Sequence, residues 1–140
     1  MKYFFSLVFL CCTFIAFSQS PIGVWKSVDD ETQEEKSNVT IYEQNGKLFG
    51  KITKILSAAP DVLCDQCPGD KKNKPVMGLV IIEDLKEVDG YWKKGKILDP
   101  ESGNIYGCSI WFEDGKPDEL KVRGKHWTGF YRTQTWHRVK

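Results

Sequence analysis

Short apolar-rich runs separated by turn residues recur along the chain from residue 23 onward, and none of them keeps the spacing of an amphipathic helix for long. That punctuation points to a meander of strands and not to alternating helices. Its sharpest mark is Asn45-Gly46, a dipeptide able to take the two positive φ angles of a type I′ turn, set between strand-like runs at 39–43 and 48–55. Further strands are expected at 76–85, 91–98, 105–112, 120–123 and 130–139. The turn signals Asp89-Gly90, Asp99 to Gly103 and Asp114-Gly115 separate them. With 23–28 at the front, eight strands result. Joined mostly by short loops, they predict an all-β fold, an eight-stranded antiparallel up-and-down barrel, which closes its own edges and has room for one small ligand.

The segment before this pattern is of a different kind. Lys2 precedes an apolar run from Tyr3 to Phe17, and Ala16 and Ser18 give the small-x-small pattern of a signal peptidase site before Gln19. The run is shorter than the ~20 apolar residues that span a bilayer, and no basic stop-transfer cluster follows it. The expected organisation is therefore a signal peptide over 1–18 and one barrel domain over 19–140, placing the protein in the periplasm or outside the cell. Cys11 and Cys12 fall in the apolar run, and Leu10 is too large for a lipobox, so both leave with the signal. Cleavage removes Lys2 and no acid, taking the formal charge from +1 to 0 with 19 basic and 19 acidic residues. That balance favours neither nucleic acid nor anionic membranes as partners.

The long connection, 57–75, holds Cys64 and Cys67 together with Pro60, Pro68 and Pro75. Loops of this length in compact domains are functional or covalently restrained. The C-x-x-C spacing suits a reactive thiol where a helix N-terminus or a cation lowers the pKa, but no βαβ unit surrounds it, and a disulfide tying the loop is the favoured reading. Cys108 makes the mature cysteine count odd. It reads as a buried, inert thiol, or as a partner for Cys64 or Cys67. Zinc would need Cys64, Cys67 and Cys108 joined by His126 or His137, yet a strong zinc signal has two close ligand pairs and this chain has one. No metal or other cofactor is expected.

Catalytic candidates are thin. His126 and His137 could serve as bases, with Asp99, Glu101, Asp114 or Asp118 as carboxylates, but most of these acids sit in turns, and Asp99 to Gly103 reads as a β-turn. With no Ser-His-Asp set or carboxylate pair, the chain is not expected to be an enzyme. Lys93, Lys94 and Lys96 beside Tyr91 and Trp92 form a basic, aromatic stretch that could attract an anion; the zero net charge favours a solvated exterior instead. The other aromatics, Trp25, Trp111, Trp127, Trp136, Tyr42, Tyr106 and Tyr131, should mostly build the core, with some lining a pocket.

Three groups of residues go beyond composition: Gly23-Val24-Trp25 at the first strand, Asp99-Pro100 with Gly103, Tyr106 and Cys108, and Thr135-Trp136-His137-Arg138 at the last. The first and last resemble the calycin signature of lipocalins and their relatives. There a Gly-x-Trp packs beneath a basic residue of the closing strand and seals one barrel end. By that resemblance Trp25 and Arg138 are the pair, with Arg132 as competitor. Together with Cys64-Asp65-Gln66-Cys67-Pro68-Gly69, Lys74-Pro75 and Arg123-Gly124, the pattern is similar to the bacterial family Domain of Unknown Function 2147. The segment Lys125-His126-Trp127-Thr128 departs from it, standing where a small apolar, Gly-containing stretch is expected. The resemblance implies export and a lipocalin-like fold, and brings no reaction or ligand.

The expectation for function is a non-enzymatic protein that binds a small apolar or amphipathic molecule inside the barrel, without stable membrane insertion once the signal is gone. The alternatives are a thiol-redox or metal-binding envelope protein using Cys64 and Cys67, and a structural or interaction protein with a filled barrel.

Overall fold

Strand formation follows the two-residue period wherever one face must be buried. A computed structural model describes residues 19–140, so the signal segment expected over 1–18 lies outside the described residues. The strands are β1 (Gly23–Val28), β2 (Glu35–Gln44), β3 (Lys47–Ile55), β4 (Val80–Val88), β5 (Tyr91–Leu98), β6 (Ile105–Phe112), β7 (Glu119–Lys125) and β8 (Tyr131–Arg138). Along β2, Ser37, Val39 and Ile41 are buried while the residues between them are not. Each strand pairs antiparallel with the next, and β8 returns to β1 through Trp25 opposite Arg138 and Lys26 opposite His137, closing the barrel. Closure leaves no unpaired strand edge to template aggregation.

Turn chemistry sets one end of the barrel. Asn45 and Gly46 both take positive φ, 54° and 76°, as the two-residue hairpin between β2 and β3 requires. Asp84 and Lys94 carry φ of 61° inside β4 and β5, and the β5–β6 register shifts between Trp92 and Gly95. Such irregularities bend strands and help a sheet curl into a barrel. Fully buried Trp25, Val39, Ile41, Ile82, Leu85, Ile110 and Leu120 belong to one continuous apolar core, each worth about 1.5–3 kcal/mol against exposure.

Several strand boundaries differ from the sequence pattern: β4 runs on to Val88 past the expected 85, β7 reaches Lys125 past the expected 123, and the starts of β4 and β2 each move by four residues. Residues 76–79, expected as the start of a strand, form a turn before β4: Gly78 has φ +85°, its N–H donates to Ile52 O at 2.8 Å, and Leu79 N–H donates back to Val76 O at 3.1 Å. Their apolar character is explained by burial of Val76 and Leu79 and not by pairing. Conversely β2 begins at Glu35, because the inward residue of its first turn-side pair is Ser37, whose polar side chain hides the alternation.

The connection over 56–79 contains one short 3₁₀ turn, Gly69–Lys71, and a single bridge between Leu63 and Pro75. Cys64 and Cys67 are buried and join the core. The loop lies against the β5–β6 turn so closely that a Cβ on Gly103 (φ +76°) would sit 1.8 Å from Gln66 O.

Candidate functional site

One end of the barrel is sealed and the other opens on a cavity. At the sealed end the Arg138 guanidinium lies 4.3 Å from the centre of the Trp25 ring, an arrangement worth about 0.5–2 kcal/mol according to its desolvation. Trp25 Nε1–H donates to Pro21 O at 2.8 Å, and its ring meets Phe112 at 5.9 Å. Arg138 Nη2 donates to Pro117 O at 3.0 Å and to Ser20 O at 3.2 Å, and Nε donates to Asp118 at 3.2 Å. Hydrogen bonding from Lys140, and then the charges of Lys140 and Arg138, hold the Asp118 carboxyl below its usual range. The Gly of Gly-x-Trp has a local reason: Gly23 has φ +141°, and a Cβ there would stand 3.2 Å from Arg138 Nη1. Arg138 therefore fits the closing strand's partner role, and Arg132 lies at the opposite end.

The open end holds a cavity of about 330 Å³. Its apolar wall is Ile52, Ile81, Ile97, Val122 and Trp136, drawn from β3, β4, β5, β7 and β8. The polar side is Ser27, Ser37, Tyr106 and Gln134. The two serines satisfy one another: their hydroxyls are 3.0 Å apart, and Ser37 N–H donates to Ser27 Oγ at 3.1 Å. Trp136 Nε1–H donates to Gln134 Oε1 at 2.9 Å, which orients the amide and leaves its NH₂ group out of that bond. On the β7 wall Gly124 has space in front of it: a Cβ would make only ordinary contacts, 3.4 Å to Tyr106 and 3.6 Å to Ile97.

Charges ring the mouth in two sets, each with one cation among several carboxylates. Lys36 Nζ lies 2.8 Å from Glu34 and 3.1 Å from Glu101, and the hydrogen bond to Glu34, with that to Glu101, raises its pKa. Arg132 is paired closely with Asp30 and lies 3.7 Å from both Asp29 and Glu31; the Asp30 hydrogen bond likewise raises its pKa. Asp29 is held low, first by the Thr32 backbone N–H it accepts. Both cations at the rim are thus already paired and outnumbered by carboxylates, while the wall behind them is apolar with Ser27, Ser37, Tyr106 and Gln134 as its neutral polar groups.

The cysteine candidates do not converge. Cys64 and Cys67 sulfurs are at bonding distance, with Cα atoms 5.3 Å apart, inside the usual disulfide range. Cys108 is a free, buried thiol on β6, and burial pushes its pKa up to about 12. Among the described residues no three His, Cys, Asp or Glu side chains gather as a metal site; His126 instead contacts Thr128 Oγ1 at 2.7 Å in the β7–β8 turn. At pH 8 a thiol with that pKa is ionised to about one part in ten thousand. In the protein starting at Gln19, Ellman's reagent is therefore expected to find no reactive thiol while the barrel is folded, and one per chain after denaturation. A fast native reaction would contradict this.

Sequence reasoning missed the mouth. Lys36 and Glu101 lie 65 residues apart and Arg132 and Asp30 lie 102 apart, and no local spacing links them.

Comparisons with known proteins agree with this architecture. The family described as "Uncharacterized protein conserved in bacteria (DUF2147)" matches residues 23–138. No curated protein sequence matches the chain. Among solved structures, the chain is similar to a Helicobacter pylori protein described as "Protein HP1028 from the human pathogen Helicobacter pylori belongs to the lipocalin family". The two share 20% identity over 86% of this chain and 84% of that one, with a TM-score of 0.74. That likeness shows a lipocalin-like fold.

Proposed function

We propose, for a chain that belongs to the DUF2147 family of uncharacterized bacterial proteins, that the barrel is a non-enzymatic binding protein which holds one small apolar or amphipathic molecule in its open end. It acts in the periplasm or outside the cell after loss of residues 1–18. The observation that carries this reading is the cavity itself: about 330 Å³ of space with an apolar wall and a neutral polar side, in the size range of small-molecule sites. At ~30 Å³ per water-sized group, it holds about a dozen heavy atoms, so a short chain or a bicyclic ring fits and a longer tail protrudes through the mouth.

The paired state of Lys36 and Arg132 argues for an uncharged or cationic head group, since an anion would have to compete with carboxylates already in place. Ser37, Tyr106 and the Gln134 amide supply hydrogen bonds for it. The Cys64–Cys67 pair is read as a staple for the long loop that backs the β5–β6 turn, and the Trp25–Arg138 stack as the seal of the far end. The barrel fold shared with the Helicobacter pylori lipocalin-family protein is compatible with this reading.

The test is a fluorescence titration with 1-naphthylamine, neutral at pH 7 and brighter in apolar surroundings. A saturable rise with one site and a low to mid micromolar Kd is expected, about −6 to −8 kcal/mol. A linear, unsaturable response would remove the reading.

A further inference from the structure

The chain's zero charge after loss of Lys2 hides a strong segregation. On the outside of β5 to β8, Lys93, Lys94, Lys96, Lys121, Arg123 and Lys125 share one face, and among the described residues none of them is in an ion pair. Their neighbours are rings and hydroxyls. The Arg123 guanidinium lies 4.2 Å from the centre of Tyr131 and 4.8 Å from that of Trp111, and its Nε donates to Thr133 at 2.9 Å. Lys121 Nζ donates to Thr135 at 2.6 Å, and Lys93 Nζ is 5.0 Å from the Tyr91 ring centre. These contacts hold the side chains in place without cancelling their charge. Between the two rows of cations a groove of about 590 Å³ runs over Gly107 and Ser109.

The upper edge of the same face is apolar and bare. Trp127 is 90% exposed and Phe130 81% exposed, both in the turn between β7 and β8, with Tyr131 and Ile105 more than half exposed beside them. Single exposed apolar residues are ordinary; a Trp and a Phe projecting together from one short turn, above a row of unpaired cations, are not. The register places Lys125 opposite both Tyr131 and Gly107, so the apolar tip and the cationic face are continuous. Aromatic rings at the acyl boundary with Lys and Arg reaching the phosphates is the arrangement that holds proteins on a bilayer surface.

We propose that the outer face of β5 to β8, led by Trp127 and Phe130, docks reversibly on an anionic phospholipid surface. The docking is peripheral: no strand enters the bilayer, the rings sit at headgroup depth, and the lysines meet lipid phosphates. The acids Asp29, Asp30 and Glu31 gather around Arg132 at the cavity mouth and not on the outer face of β5 to β8. Phe130 and Tyr131 also border the cavity mouth, whereas Trp127, Lys94, Lys96 and Lys125 do not, so reversal of the three lysines separates vesicle binding from naphthylamine binding, and either can fail alone.

The experiment uses protein starting at Gln19, which retains every strand of the barrel, in co-sedimentation with vesicles of phosphatidylcholine containing about a third phosphatidylglycerol. Binding is expected there, with little to pure phosphatidylcholine, and it should fall steeply as salt rises. Reversing Lys94, Lys96 and Lys125 to Glu should weaken it at least about a hundredfold, on the basis of roughly fivefold per surface cation. Trp127→Ala with Phe130→Ala, at positions too exposed to affect folding, should weaken it about tenfold or more. Circular dichroism checks that each variant is folded. A blue shift of tryptophan emission on vesicle addition should disappear in Trp127→Phe. Equal binding to neutral vesicles, no binding to anionic ones, or capture by a soluble anionic glycan without vesicle binding would each overturn the proposal, as would folded variants that bind like the parent.

Discussion

Trp25→Ala is expected to lower the free energy of unfolding by about 3–5 kcal/mol, the range for removing a fully buried Trp. The ring has no solvent exposure. It supports Arg138 from below at 4.3 Å and fixes the incoming chain through the bond from Nε1–H to Pro21 O. Truncation leaves a void at the sealed end and a guanidinium without the face it rests on, while Gly23 stays shaped for an arginine with no remaining platform. Since small domains have only about 5–15 kcal/mol in total, the variant should unfold at a far lower urea concentration, with an m-value near that of the parent. Trp25→Phe should lose less, because a ring remains under Arg138. A loss below about 1 kcal/mol in Trp25→Ala would mean that the end seal is ornamental to stability.

The second large effect concerns the cavity. Gly124→Trp should weaken 1-naphthylamine binding at least about thirtyfold, roughly 2 kcal/mol, while the barrel remains folded. Gly124 faces the space between Tyr106 and Ile97, with nothing closer than 3.4 Å to a Cβ, so the new ring enters the cavity instead of the packed core. Overpacking costs about 1–3 kcal/mol, which a closed barrel can absorb. Unchanged affinity in a folded Gly124→Trp chain would place the probe elsewhere.

The strand number and the closure order were legible in the sequence because turn residues and two-residue alternation are local. Asn45-Gly46 and Asp89-Gly90 carry their hairpins in their own φ angles. The end seal was legible for another reason: the Gly-x-Trp and terminal Arg pattern resembles a known one, and resemblance, not periodicity, favoured Arg138 over Arg132. Residues 76–79 misled because buried loop segments and buried strands are equally apolar. The start of β2 escaped notice because Ser37, an inward residue, is polar and meets its register partner Ser27 on the neighbouring β1. The cavity could not be read at all. Whether inward residues fill the lumen depends on how far opposite walls stand apart, and only the folded chain brings Ile52, Val122 and Gln134 to face one space.

A formal charge near zero carries no information about layout: Lys93 to Lys96 on β5 and Lys121 to Lys125 on β7 are gathered on one face only by the intervening β6. The acids that balance them lie largely in turns elsewhere, such as those around Asp29 and Asp99. Charge summed over a sequence is a poor guide to a surface when strands two apart contribute the same sign.

The central claim, that the open cavity receives a ligand, is tested most directly by amide chemical-shift mapping of ¹⁵N-labelled protein titrated with 1-decanol. The account predicts saturable shifts at Ile52, Val122, Gly124 and Gln134, around the cavity, with Trp25 and Arg138 at the sealed end unmoved. Shifts confined to the outer face, or none up to the solubility limit of the alcohol, would contradict it.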